Sequence, residues 1–166
     1  MLVWVLIIAG ILSRLVPHPP NFTPVCAIAI FSGAYLKRKY SFIVPLILMI
    51  ISDIFIGMHD VVLFTWGSFA LVAGLGMSLK KNRGLTAILG ISALSSIVFF
   101  LITNFGVWVM GWYPRSLKGL VDCYIMALPF LRDFTISTLF YSLLLFGTYE
   151  LIARSVRQTR LAKVLL

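Results

Sequence analysis

Residues 61–83 read VVLFTWGSFALVAGLGMSLKKNR. The first 19 of these residues carry no charge, and Lys80, Lys81 and Arg83 follow immediately. At about 1.5 Å of rise per residue a helix of that length covers about 28 Å, close to the roughly 30 Å hydrocarbon core of a bilayer. Working outward, the same grammar recurs along the chain. Apolar stretches at 2–16, 24–36, 41–57, 61–79, 85–103 and 134–153 are separated by polar punctuation, and a short extra helix is expected at 116–128. The expected fold class is therefore an all-α membrane protein, a six-transmembrane-helix bundle forming one transmembrane domain over residues 1–166.

Composition agrees. The 166 residues are 61% hydrophobic and 11% charged, with a mean hydropathy of +1.05, whereas soluble domains hold about 45–50% apolar residues. Soluble enzymes, coiled coils and disordered chains are excluded. The net charge of +9 would suggest nucleic acid in a soluble protein, but its distribution argues otherwise, and no nucleic-acid partner is expected. Ten of the 14 Lys and Arg fall in three clusters on alternate connections: Lys37, Arg38 and Lys39; Lys80, Lys81 and Arg83; Arg154, Arg157, Arg160 and Lys163. Basic residues accumulate in short cytoplasmic loops, so this alternation gives an N-in, C-in topology. On the opposite side Arg14, Arg115, Lys118 and Arg132 are balanced by Asp53, Asp60, Asp122 and Asp133. Residues 1–16 are expected to be helix 1 and not a cleaved leader, because Arg14 follows the apolar run instead of preceding it.

Most of the unusual polar and rigid residues then fall at the outer end. The first outer loop is Pro17-His18-Pro19-Pro20-Asn21-Phe22-Thr23-Pro24. Its prolines fix φ and remove amide donors, making a stiff connector or a wall of a pocket, and Thr23 before Pro24 has helix-starting chemistry. Asp53 lies in an apolar run, where an unpaired carboxylate would be expensive, and Arg14 is its expected partner. The segment 104–133 contains Asn104, Gly106, Trp108, Gly111, Trp112, Tyr113 and Arg115. These residues suit either an interfacial aromatic belt or a binding loop with stacking surfaces and one charge. Ser92, Ser96 and Thr103, and likewise Thr135, Thr138 and Ser142, share helix faces that suit interhelical hydrogen bonding. Ala9/Ser13, Ala29/Gly33 and Ala70/Gly74 are small-residue pairs that permit close helix approach. Cys26 and Cys123 are expected to be buried free thiols, with a disulfide between them or soft-metal ligation as the alternatives. Metalloprotease, CxxC redox, serine-hydrolase and Walker motifs are missing, so no cofactor, metal site or catalytic residue is expected.

Three strings, Arg14 to Pro24, Thr103 to Trp108, and Tyr113-Pro114 through Cys123-Tyr124 to Leu128-Pro129-Phe130, resemble a family of small uncharacterised bacterial membrane proteins treated as transport proteins. That family looks like the substrate-binding S components of energy-coupling factor vitamin transporters. The resemblance implies residence in the bacterial inner membrane and a ligand site at the outer face. It also implies docking on a transmembrane coupling subunit with ATPases through an Ala-xxx-Ala surface, where this chain has Ala9 and Ser13. Uptake of a small vitamin-like solute is therefore the first functional expectation, with Arg14, His18, Asn21, Phe22, Asp53, Asn104, Trp108, Trp112, Tyr113 and Arg115 as substrate-binding residues. Two alternatives stand beside it. One is an intramembrane enzyme acting on a lipid-linked envelope substrate through Asp53, His18 and His59. The other is a structural scaffold with a filled outer half.

Overall fold

The structure, a computed structural model, describes residues 2–156. Arg157, Arg160 and Lys163 of the third basic cluster lie outside the described residues. In chain order the helices are α1 (Leu2–Leu15), α2 (Val25–Tyr35), α3 (Arg38–Ile56), α4 (Val62–Gly76), α5 (Leu85–Val109), α6 (Leu117–Met126) and α7 (Leu128–Val156), and a 3₁₀ turn, Met77–Lys80, extends α4. There is no strand among the described residues. Four helical stretches are long and apolar enough to cross a membrane: Arg38–Ile56, Val62–Lys80, Leu85–Val109 and Leu128–Ser155. Helices α1 and α2, with 14 and 11 residues, are shorter.

Helix α2 is the core. Every residue from Val25 to Ala34 is buried, with α3, α4, α5 and α7 packed around it. A helix that is apolar on all sides gains most when enclosed by other helices. Its closest partner is α4. A methyl group placed on Gly33 would fall 2.2 Å from the Ala73 carbonyl oxygen, and one on Gly76 would fall 2.3 Å from the Ile30 carbonyl oxygen. The two backbones touch because glycine stands at both crossing points. Sequence pattern had singled out Ala70 and Gly74 on α4, but the face in contact is Ala73 and Gly76, and Gly74 meets nothing within 4 Å. The aromatic rings of Phe31, Tyr35, Phe146 and Tyr149 close the lower part of the core, with Phe31 and Phe146 in edge contact at 5.2 Å. Outside this core, Ile54, Leu63, Leu71 and Leu151 are exposed, an apolar sheath of the kind lipid covers.

Three boundaries differ from expectation. Helix α5 runs on to Val109, so Asn104 to Trp108 are helical and not loop. Gly106 is rigid there, because its bare Cα packs on Phe64, whose ring would lie 2.5 Å from an added methyl. Helix α7 begins at Leu128, so Pro129 sits in a first turn, where its missing N–H is no loss, and does not terminate the preceding helix. Thr23 does not cap α2: Pro24 occupies the cap position with no side-chain acceptor, and the Thr23 carbonyl instead accepts from Ser137 Oγ at 3.0 Å.

The α2–α4 contact sets a pair of substitutions with opposite outcomes. Gly33→Ala should destabilise the detergent-purified protein by about 1–3 kcal/mol through overpacking against backbone. Gly74→Ala, in open space within a helix, should be neutral or stabilise by up to about 1 kcal/mol. Thermal unfolding followed by fluorescence distinguishes them.

Candidate functional site

Opposite ends of the bundle carry different chemistry. At one end Arg83 lies over the Tyr35 ring, 4.3 Å from its centroid, and the Tyr35 hydroxyl donates to Glu150 Oε1. This joins the end of α2, the start of α5 and the end of α7 beside the exposed Lys37, Arg38, Lys39, Lys80 and Lys81. The other end holds Arg14, Asp53 and the long connections.

There, the expected partnership between Arg14 and Asp53 is present. Arg14 Nη1 sits 2.7 Å from Asp53 Oδ1, off the line of a hydrogen bond, so the contact is an ion pair. The same nitrogen donates to Ser52 Oγ and approaches Met49 Sδ at 3.2 Å. Trp66 Nε1 donates to Asp53 Oδ2 at 2.8 Å. Asp53 is thus enclosed, its side chain 1% exposed, while that of Arg14 is 17% exposed and reaches open space.

That space follows from the length of α2. With Gly33 beside Ala73 and Met77, and Gly76 beside Ile30, Val25 stands level with about Ser68, so α2 begins roughly 9 Å short of the start of α4 at 1.5 Å per residue. A cavity of about 220 Å³ occupies this recess, bordered by Arg14, His18, Asn21, Thr23, Val25 and Thr65. A second, of about 350 Å³, lies between α5, α6 and the start of α7. Its walls are Phe99, Phe100, Val107, Leu131 and Phe134, and Thr103, Asn104, Tyr113 and Cys123 are among its polar groups. Asn21, Phe99 and Phe134 border both spaces, so the two share this wall. The Phe99 and Phe134 rings stack there with centroids 4.4 Å apart.

Loop geometry positions the mouth. Gly111 takes φ +86°, open to glycine at no steric cost, and turns the chain after α5. Trp108 Nε1 then donates to the Pro114 carbonyl at 3.0 Å, fixing the turn that presents Trp112 and Tyr113. Trp112 borders the larger cavity and points its Nε1 towards Asp60 Oδ2 at 3.4 Å, linking this turn to the α3–α4 connection. Ser116 caps α6 by accepting from Gly119 N at 3.1 Å.

Of the residues singled out from sequence, Asn21, Asn104, Trp112 and Tyr113 line the larger cavity, and Arg14, His18 and Asn21 line the smaller. Asp53 stands behind Arg14 and borders neither. Phe22 packs on Phe140 and Tyr141, at 6.2 and 5.7 Å between centroids. Trp108 braces the turn from outside, and Arg115 donates to the Val109 carbonyl at 3.3 Å. Sequence reasoning passed over Phe99, Phe100 and Phe134, aromatic residues inside apolar runs with nothing local to mark them. His18 and Asp53 do not meet at one wall, and His59 borders none of the cavities described.

Both cysteines are free and buried. Cys26 is enclosed in α2. Cys123 borders the larger cavity and directs its Sγ to the Asn104 carbonyl at 3.5 Å.

Residues 1–161 match a family of unknown function, DUF6580, and the chain belongs to that family. No curated protein and no solved structure matches it.

Burial pushes the Cys123 thiol above its ordinary range. Because the thiolate is the reactive form, alkylation of Cys123 by N-ethylmaleimide should be slow at neutral pH and keep accelerating beyond about pH 8.5, the ordinary thiol pKa. Cys26 should stay unmodified until the protein unfolds. Peptide mass spectrometry after timed labelling reads both rates, and faster labelling of Cys26 would contradict the cavity assignment.

Proposed function

We propose that this DUF6580 chain is a substrate-binding membrane transport protein for uptake of a small organic solute, S-component-like in organisation. In this reading it sits in the bacterial inner membrane with six crossings and both termini in the cytoplasm. The basic end faces the cytosol by the positive-inside rule. The Arg14 end faces outward, and the two adjacent cavities receive the solute. The single observation that carries the proposal is the larger cavity, about 350 Å³, with aromatic walls and a few placed polar groups. Binding sites for small molecules have this character and volumes of about 300–1,000 Å³. A planar, mainly apolar, vitamin-like compound suits the walls: rings can stack on Phe99 or Phe134, while Thr103, Asn104 and Tyr113 supply polar contacts.

Helices α1 and α2 support the same reading through their shortness. In a bilayer the connection between them, residues 16–24, would dip below the surface, which irregular backbone does only where protein or a cavity surrounds it. Four of its residues are proline and bring no N–H that needs a partner. Release to the cytosol would need the bundle to reorient, driven by an ATPase-linked coupling subunit or proceeding unassisted. The small-residue face of α1, with Ala9 exposed, is the place for such a partner.

A thermal-shift screen of purified protein against vitamins and nucleobase-like compounds tests the proposal. One compound class should raise the melting temperature, and Asn104→Ala or Tyr113→Ala should weaken its binding about tenfold, equivalent to about 1.4 kcal/mol, without lowering the melting temperature of the free protein by more than a few degrees. No stabilising compound, together with no accumulation of solute by cells expressing the chain, would overturn it.

A further inference from the structure

The larger cavity suits a ring system, but the smaller one has another character. Arg14 spends a single nitrogen, Nη1, on Asp53, Ser52 and Met49. Its Nε and Nη2 make no hydrogen bond to the described residues, and the side chain borders the smaller cavity. A guanidinium anchored from behind by a buried carboxylate presents the rest of its planar fork in a fixed direction, a geometry that matches two oxygens of an anion. The first turn of α2 adds to this. It has no side-chain acceptor at its cap and no acidic residue, and Thr23 and Val25 bring it to the same cavity. Its free amides and the positive end of its dipole favour negative charge there. His18 and Thr65 supply further polar wall. His18 Nδ1 is engaged with the Val16 carbonyl at 2.7 Å, which leaves Nε2 for other partners.

We infer that the solute is an aromatic carboxylate: its ring lies against Phe99 and Phe134, which border both cavities, and its carboxylate binds the free edge of Arg14 beside the start of α2. This rests on the uptake proposal and names its substrate class. Carboxylate is preferred to phosphate because one guanidinium already shared with Asp53 brings too little positive charge to balance a dianion.

Matched probes on the full-length protein in detergent test it: 2-naphthoate, 2-naphthamide and 2-naphthyl phosphate, compared by thermal shift and calorimetric titration. The acid should bind about tenfold more tightly than the amide, the preference a charge-assisted fork confers, and more tightly than the phosphate. In the double variant Arg14→Gln/Asp53→Asn both charges leave together, so no buried ion is orphaned. The acid should then lose its advantage while amide affinity stays the same. The wild-type comparison stands by itself if that variant does not fold. Equal binding of acid and amide overturns the inference and leaves solute uptake intact, as does a tighter phosphate. A folded double variant that keeps the preference for the acid also overturns it. Failure of all three probes, together with failure of the wider compound screen, removes both.

Discussion

The rest of the structure depends on one mismatch of length. Helix α2 is eleven residues long and buried on every side, and its glycine contact with α4 fixes how far along the bundle it lies. An isolated helix this short would be marginal in water, and it is too short to cross about 30 Å of hydrocarbon. It exists because α3, α4, α5 and α7 enclose it. The same contact holds α2 at the basic end and leaves the opposite end of its column empty. A recess at that end is therefore built into the core packing and does not depend on a mobile loop.

The Arg14–Asp53 pair acts on this recess. Placing two charges in an apolar bundle costs desolvation, and removing one partner would leave the other buried at a penalty of about 3–5 kcal/mol. Such a pair is weak evidence for stability by itself. Here the carboxylate is the enclosed member, satisfied by Arg14 and Trp66, and the guanidinium is the member that reaches open space. Asp53 orients Arg14 from behind. The same interaction thus locks the bundle and leaves one guanidinium edge open to the recess, and α1, though short, is tied to α3 at the depth where the recess begins.

Much of this is legible in the sequence. Each apolar stretch became a helix, because apolar length bounded by charge is a one-dimensional signal. The partnership of Arg14 with Asp53 is legible for the same reason, since an unpaired charge in an apolar run demands an opposite one. The ends of α5 and α7 are not. Asn104 and Gly106 read as loop, and only the distant Phe64 ring, packed on Gly106, shows why the helix continues. Pro129 reads as a terminator and is tolerated as a starter, a distinction that rests on whether the chain before it has already turned. Half of the cavity wall was equally hidden. Asn104, Trp112 and Tyr113 stand out as polar or amphipathic residues near a polar end, whereas Phe99 and Phe134 belong to apolar faces and become wall only through the packing of α5 against α7.

Native mass spectrometry of the full-length protein, gently purified from cells that accumulate it, measures the central claim most directly. If the hollow captures a solute it should retain it, seen as one non-lipid small molecule bound to the chain and released on unfolding. A chain that carries only phospholipid, under conditions where a reference binding protein keeps its ligand, would contradict solute capture and favour a bundle whose hollow has no small-molecule occupant.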